Sequence, residues 1–278
     1  MSGDVRLDSG RTSAAGAGEP IIVLDHISKS FSGGESFAVH EVSLAIDRAA
    51  FVAVVGASGS GKTTLMKTIN RLVEVDAGTV SVAGEPVGSL AGHELRRRIG
   101  YVFQGIGLFP HMNVAENIGI TPRLLGWPKA QVAERVAELV DLVALPRSFL
   151  GRMPSALSGG QQQRVGVARA LAAKPAIMLM DEPFGALDPV TRDTLGTEYR
   201  RLHEAMGLTT VMVTHDVLEA ILLADRVIVM RGGRIVADGV PQDLIVDHPD
   251  EGVRALMEMP RRQAARVRAI VEERSRRG

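Results

Sequence analysis

Cysteine is absent from the 278 residues, and aromatic side chains are sparse, with one tryptophan, two tyrosines and seven phenylalanines. The first absence excludes disulfides and thiolate metal sites and suits a reducing compartment. Lysine is scarce too: only Lys29, Lys62, Lys67, Lys129 and Lys174 occur. Neither sign of charge dominates, since 32 basic side chains face 32 acidic ones. That balance argues against a dedicated nucleic-acid binder, and any basic region must be local. No run approaches the roughly 20 consecutive apolar residues that cross a bilayer. Ala49 to Ala57 is about strand length. Residues 1–20 are small and polar and lack the apolar centre of a secretory signal, so a floppy cytoplasmic tail is expected there.

What is present fits an ordinary soluble globular chain, with 45% apolar and 23% charged residues. From Ile21 onward, IIVLDHIS, a polar turn and AVHEVSLAI read as an antiparallel β layer. Phe51 to Val55 is almost entirely apolar, as in strands buried on both faces, and glycines lead from it into a helix. In that helix Leu65, Ile69, Leu72 and Val73 are expected to share one face. A second helix is expected over 129–143 after Pro128, burying Val132, Val136, Leu139 and Val143. Short apolar strands at 176–180, 209–213 and 226–230 alternate with helical segments. The pattern predicts an α/β fold with a mostly parallel sheet, interrupted over about 106–168 by a helical insertion.

Gly56-Ala57-Ser58-Gly59-Ser60-Gly61-Lys62-Thr63, with Thr64 after it, lies between the buried strand and the helix. Glycines let such a loop turn its N–H groups inward, and the helix N-terminus adds partial positive charge, so a polyphosphate can be cradled. Lys62 is expected to reach β- and γ-phosphate oxygens, and Thr63 to ligate Mg²⁺. A second half-site follows in Ile177-Met178-Leu179-Met180-Asp181-Glu182-Pro183. Asp181 is expected to hold Mg²⁺ through its water shell, and Glu182 to orient and polarise an attacking water. Another apolar strand ends in Thr214-His215-Asp216, and a histidine there is expected to be able to contact the γ-phosphate. None of the seven histidines shows two-histidine metal spacing.

Leu157-Ser158-Gly159-Gly160-Gln161-Gln162-Gln163-Arg164 resembles the signature run of the ATP-binding-cassette ATPases. The same run also reads as a plain helix entry with Ser158 as N-cap. The resemblance extends over 21–247. Gln104 is similar to the family's glutamine loop, Gly185-Ala186-Leu187-Asp188 to its aspartate loop, and His215 to its switch histidine. Phe31 stands where the family usually stacks a tyrosine on adenine.

The resemblance implies a phosphate-loop (RecA-like) core with an antiparallel β layer and an inserted helical subdomain. It also implies ATP and Mg²⁺ as ligands, with Thr63, Gln104 and Asp181 at the metal. Lys62, Gln104, Glu182 and His215 would be the catalytic groups. Two cassettes would pair head to tail, so that Ser158, Gly159, Gly160 and Gln161 serve the partner's nucleotide, and Asp188 would be a further nucleotide-binding residue. Membrane permease subunits and an extracytoplasmic substrate-binding protein would be the other partners, with no nucleic acid, and the chain would sit at the cytoplasmic face of the inner membrane. Ribosome-acting cassettes carry two signature runs, and repair members insert long coiled coils or zinc modules; this chain has neither.

For Gln104 to Met112 two readings stand: Leu108, Phe109 and Met112 meet a membrane partner, or they fill the insertion's core. IGYVFQGIGLFPHMNVAENI, TPRLLGWPKAQV and MDEPFGALDPVTRD are similar to the ATPases of osmoprotectant importers, which carry glycine betaine, choline, carnitine or proline betaine. Many of those end in paired CBS modules; with the sequence ending at Gly278, regulation by such modules is not expected. Residues 248–278 are expected to form a helical tail, in which 261–278 hold seven arginines against Glu272 and Glu273. Lipid contact, a solvated tail and packing on the cassette are its alternatives.

Overall fold

The computed structural model describes residues 20–105, 107–185, 187–246 and 248–277; in the last helix the side chains of 271 and 273–277 lie outside the description. Of the tail expected over 1–20, residues 1–19 lie outside the described residues and Pro20 instead opens the first strand; the expectations that fall on Ala186, Ile106 and the boundary at Asp247 lie outside the described residues as well. The described chain opens with strands β1 (Pro20–Lys29), β2 (Val39–Asp47) and β3 (Phe51–Val55) and helix α1 (Lys62–Ile69). Strands β4 (Ala77–Val82) and β5 (Glu85–Pro86), helix α2 (Gly92–Arg98) and strand β6 (Ile99–Val102) follow. Helices α3 (Val114–Leu124), α4 (Lys129–Leu142) and α5 (Gly159–Leu171) come next without a strand. Alternation then resumes through β7 (Ile177–Asp181), α6 (Pro189–Met206), β8 (Thr209–Val213), α7 (Val217–Leu223) and β9 (Arg226–Arg231). Strand β10 (Arg234–Gly239) and helices α8 (Pro241–Val246) and α9 (Glu251–Arg277) complete it.

Two sheets form. Four antiparallel strands run in the order β2-β1-β4-β5, and six run in the order β10-β9-β3-β8-β7-β6, all parallel except the β10 edge. All five residues of each of β3, β7 and β8 are buried. A strand covered on both faces reads as a largely apolar run, and each Val, Ile, Leu, Met or Phe side chain in these strands contributes about 1.5–3 kcal/mol by leaving water. Val52 and Val54 of β3 pack toward the antiparallel layer and α1, while Phe51, Ala53 and Val55 pack toward the helices of the insertion and of the carboxyl half. The central sheet thus divides two cores.

One helical expectation is corrected. Helix α1 ends at Ile69, so Leu72 and Val73 do not continue its buried face; Leu72 is 45% exposed. Asn70 is the reason: its Oδ1 accepts the Leu72 N–H, and Arg71 takes a left-handed backbone at φ 53.

The fold positions a site by register. Val54 pairs with Val213, Val213 with Asp181, and Met180 with Val102. The carboxyl ends of β3, β8, β7 and β6 therefore emerge side by side, and the loops carrying Lys62, His215, Glu182 and Gln104 leave the sheet at one edge. In open α/β sheets that edge is where ligands bind.

Candidate nucleotide site

The loop 56–63 is closed by backbone approaches that only glycine permits. A Cβ on Gly56, at φ 149, would stand 2.2 Å from the Met230 carbonyl oxygen, and one on Gly61, at φ 100, would stand 2.0 Å from that of Ala38. Gly61 enters α1 without any side-chain cap, and the first turn of α1 holds no acidic residue. The leading N–H groups of α1 are thus left for an anion, which is how a helix N-terminus takes phosphate. Lys62 is 7% exposed and donates from Nζ to the carbonyls of Gly56 and Ala57, both at 2.9 Å. Burial holds its ammonium below the usual lysine range, and the nearby charges of Glu182 and Asp181 offset part of that.

Thr63 Oγ1 donates to Asp181 Oδ1 at 3.0 Å, so hydroxyl and carboxylate expected at Mg²⁺ stand together. Burial raises the Asp181 pKa, against the Thr63 hydrogen bond and the Lys67 charge, which lower it. Among the described residues no three acidic or histidine side chains cluster to hold a metal by themselves. The pair fits Mg²⁺, which keeps several waters and is completed by substrate phosphates.

Glu182 follows Asp181 with a left-handed backbone at φ 46, its N–H bonded to the Val213 carbonyl at 2.9 Å. Its Oε2 gathers two of the expected groups: Gln104 Nε2 donates to it at 3.1 Å, and His215 Nδ1 lies 3.4 Å away. Lys62, Thr63, Asp181, Glu182, Gln104 and His215 are thus brought to one place. Ala57, Ser58 and Gly59 are exposed at the loop tip, Ser60 is buried, and Thr64 is half-buried in α1.

Other residues lie apart. Ser158, Gly159, Gly160 and Gln161 begin α5, and among the described residues no hydrogen bond joins them to 56–64. The helix-entry reading of this run holds: Ser158 Oγ accepts from the Gln161 N–H at 3.3 Å, and Gln161 Oε1 from the Ser158 N–H at 3.0 Å. Asp188 turns its carboxylate to the N–H groups of Val190 and Thr191 and caps α6. Phe31 is 69% exposed in the turn after β1, with Lys29 Nζ 5.5 Å from its ring centre.

Beyond Gln104, the two readings of the apolar segment divide by residue. Leu108 packs on the large core, whereas Phe109 is exposed and lines a cavity of about 540 Å³ with Tyr101, Phe103, Ile120, Leu124 and Arg169. Asn117, fully buried, pins this segment by accepting from the Phe109 N–H and donating to the carbonyls of Phe109 and Met112. Sequence reading missed Asn117 as well as Arg192 and Asp216, which pair at 2.9 Å. The one signal available for Asp216 was its place before a helical run, where an aspartate serves as N-cap.

A family model described as ABC transporter matches residues 39–185, more than half of the chain. The chain belongs to the ABC transporter family. Within that family it is 50% identical over 233 residues to the choline transport ATP-binding protein OpuBA of Bacillus subtilis (strain 168), covering 84% of this chain and 61% of that one. It is 49% identical over 234 residues to the glycine betaine uptake system ATP-binding protein YehX of Escherichia coli (strain K12), covering 84% and 75%. Among solved structures, the dimeric post-hydrolysis state of the ATP-binding cassette MJ0796, bound to ADP and Pi, matches with a TM-score of 0.72 at 33% identity over 79% of this chain and 98% of that one. The expected phosphate-loop α/β fold is thereby that of a cassette of the ABC family. The described helices include none long and apolar enough to cross a membrane.

Proposed function

We propose that this chain is the ATP-hydrolysing, energy-coupling subunit of a bacterial importer for quaternary-amine osmoprotectants. The observation that carries the ATPase reading is the meeting of Gln104 and His215 on one oxygen of Glu182, beside the Lys62 loop and the Thr63–Asp181 pair. Relatives named for choline and glycine betaine support the cargo class.

In this reading the phosphates of ATP lie on the open N-terminus of α1, and Lys62 exchanges its two loop carbonyls for phosphate oxygens. Thr63 and Asp181, with Gln104, would hold Mg²⁺, which when bound would offset the charge of the phosphates. Glu182, released from Gln104 and His215, accepts a hydrogen bond from a water and aligns it with the γ-phosphorus. The water oxygen bonds to phosphorus as the bond to the β–γ bridging oxygen breaks, ADP leaves with that electron pair, and the water's proton passes to the phosphate or to Glu182. His215 donates to the transferring group.

Ser158 to Gln161 serve the nucleotide of a second copy or a paired cassette, so ATP joins two chains and its hydrolysis parts them. The exposure of Ser158 and Gly159 at the start of α5 and the dimeric state of a similar cassette support that arrangement. The cavity beside Gln104, with exposed Phe103, Phe109 and Leu124, would seat the permease, and cargo choice would rest with the permease and its binding protein. The chain then works as a peripheral subunit at the cytoplasmic face.

The test is uptake of labelled glycine betaine, choline, carnitine and proline by the native host in high salt, backup transporters deleted, with the parent gene and with Glu182→Gln. Selective loss of one of these activities is expected. Unchanged uptake of all four, with hydrolysis still abolished, moves the chain to an importer for another solute. Hydrolysis at the parental rate by Glu182→Gln would remove the assigned role of that carboxylate.

A further inference from the structure

The first turn of α6 touches three segments that the proposed chemistry treats separately. Asp188 closes it as its cap. Thr191 lies against the signature run, since a Cβ on Gly160 would come within 2.9 Å of its Cγ2. Arg192 reaches the other way. Its Nη1 donates to Asp216 Oδ2 at 2.9 Å, and its Nη2 to the carbonyls of Gly185 and Leu187 at 3.4 and 3.3 Å. Asp216, next to His215, uses its other oxygen to cap α7 through the N–H groups of Leu218 and Glu219, and its own N–H donates to Thr214 Oγ1 at 3.0 Å.

One guanidinium therefore spans the segment leaving Glu182 and the loop carrying His215. Its planar fork suits it to two acceptors at once, which a lysine ammonium matches poorly. Because Arg192 and Asp216 are about a third or less exposed, at 27% and 30%, the pair is only partly screened.

We propose that Arg192 is a positioning residue that ties the Gly185 and Leu187 carbonyls to the His215 loop, so that movement of the signature run against Thr191 reaches the groups around the attacking water. The inference rests on the ATPase reading above. It places Arg192 in the chemical step and outside nucleotide affinity.

The experiment measures steady-state ATP hydrolysis by Arg192→Ala, Asp216→Asn and the double variant, with Glu182→Gln alongside. Asparagine caps a helix as well as aspartate does, so Asp216→Asn drops the charge and keeps α7. Arg192→Ala is expected to lower kcat by about ten- to a hundredfold with KM unchanged, the size of effect a small misplacement of catalytic groups produces. Asp216→Asn should lower kcat in the same direction, the double variant should fall no further than Arg192→Ala, and Arg192→Lys should recover part of the loss. The combined Glu182→Gln/Arg192→Ala chain should still form the ATP dimer on size exclusion. Parental kcat in Arg192→Ala overturns the proposal, as do losses that multiply in the double variant, or a combined variant that no longer binds ATP or dimerises. Parental hydrolysis by Glu182→Gln instead overturns the reading on which the proposal rests.

Discussion

Two helix N-termini are proposed to meet the phosphates, and the chain prepares them in opposite ways. At α1 no side chain caps the helix, no acidic residue sits in the first turn, and Lys62 is buried against its own loop. At α5 Ser158 and Gln161 close a reciprocal capping box on an exposed surface. A helix end normally costs stability until its N–H groups find partners. The first end leaves that debt for the nucleotide, and the second settles it with its own side chains. On the proposed function, the first end is left open for a ligand, while its complement is closed by its own side chains and would contribute only when a second surface approaches.

The largest effect should come from the open end. Lys62→Ala removes a charge-assisted donor, and titration with a fluorescent ATP analogue should show a loss of about 1.5–3 kcal/mol in affinity. Unchanged binding would mean that the N–H groups of α1 suffice and would erase the contrast. At the closed end, Ser158→Ala should cost about 1 kcal/mol of stability in urea unfolding, the ordinary worth of a cap. Nucleotide affinity of the single chain should stay at the parental value, while ATP-driven dimerisation of the Glu182→Gln background weakens. If monomer affinity fell instead, the two ends would belong to one site. The smallest effect is expected from removing the residues after Pro260, because 261–270 are exposed along α9 whereas Val253 and Met257 anchor its start. Stability should change by less than about 0.5 kcal/mol, the usual scale for surface changes, with ATP binding intact. Lost binding in that chain would place the carboxyl end of the cassette beyond Pro260.

Strands β3, β7 and β8 were legible because burial on both faces leaves a largely apolar run. Strands β4, β5, β6 and β10 are not legible in the sequence: Ala77, Gly78 and Thr79 are exposed, β5 has two residues and β6 four, and β10 is an edge with one of its six positions buried. The end of α1 was hidden for a different reason. Leu72 and Val73 keep the helical period while Asn70 and Arg71 have already left the helix, so pattern and backbone part company. At the candidate site, the groups that the fold brings together, among them Lys62, Asp181 and Glu182, are carried by contiguous motifs. Side chains that act by reach were missed, because Arg192 and Asp216 stand 24 residues apart and nothing local marks their pairing. Asp188 was placed at the nucleotide by resemblance, and in the folded chain its carboxylate serves its own helix.

Glu182 holds its carboxylate in place with a left-handed backbone at φ 46, a conformation that costs a side-chain-bearing residue about 1–2 kcal/mol. Glycine would relieve that cost and forfeit the carboxylate. At this one position the residue that best stabilises the chain and the residue that best serves its proposed task are different, so a copy freed from transport has a downhill route to glycine. Glycine at this place in an otherwise intact relative would then mark a cassette kept for binding after its chemistry had been surrendered.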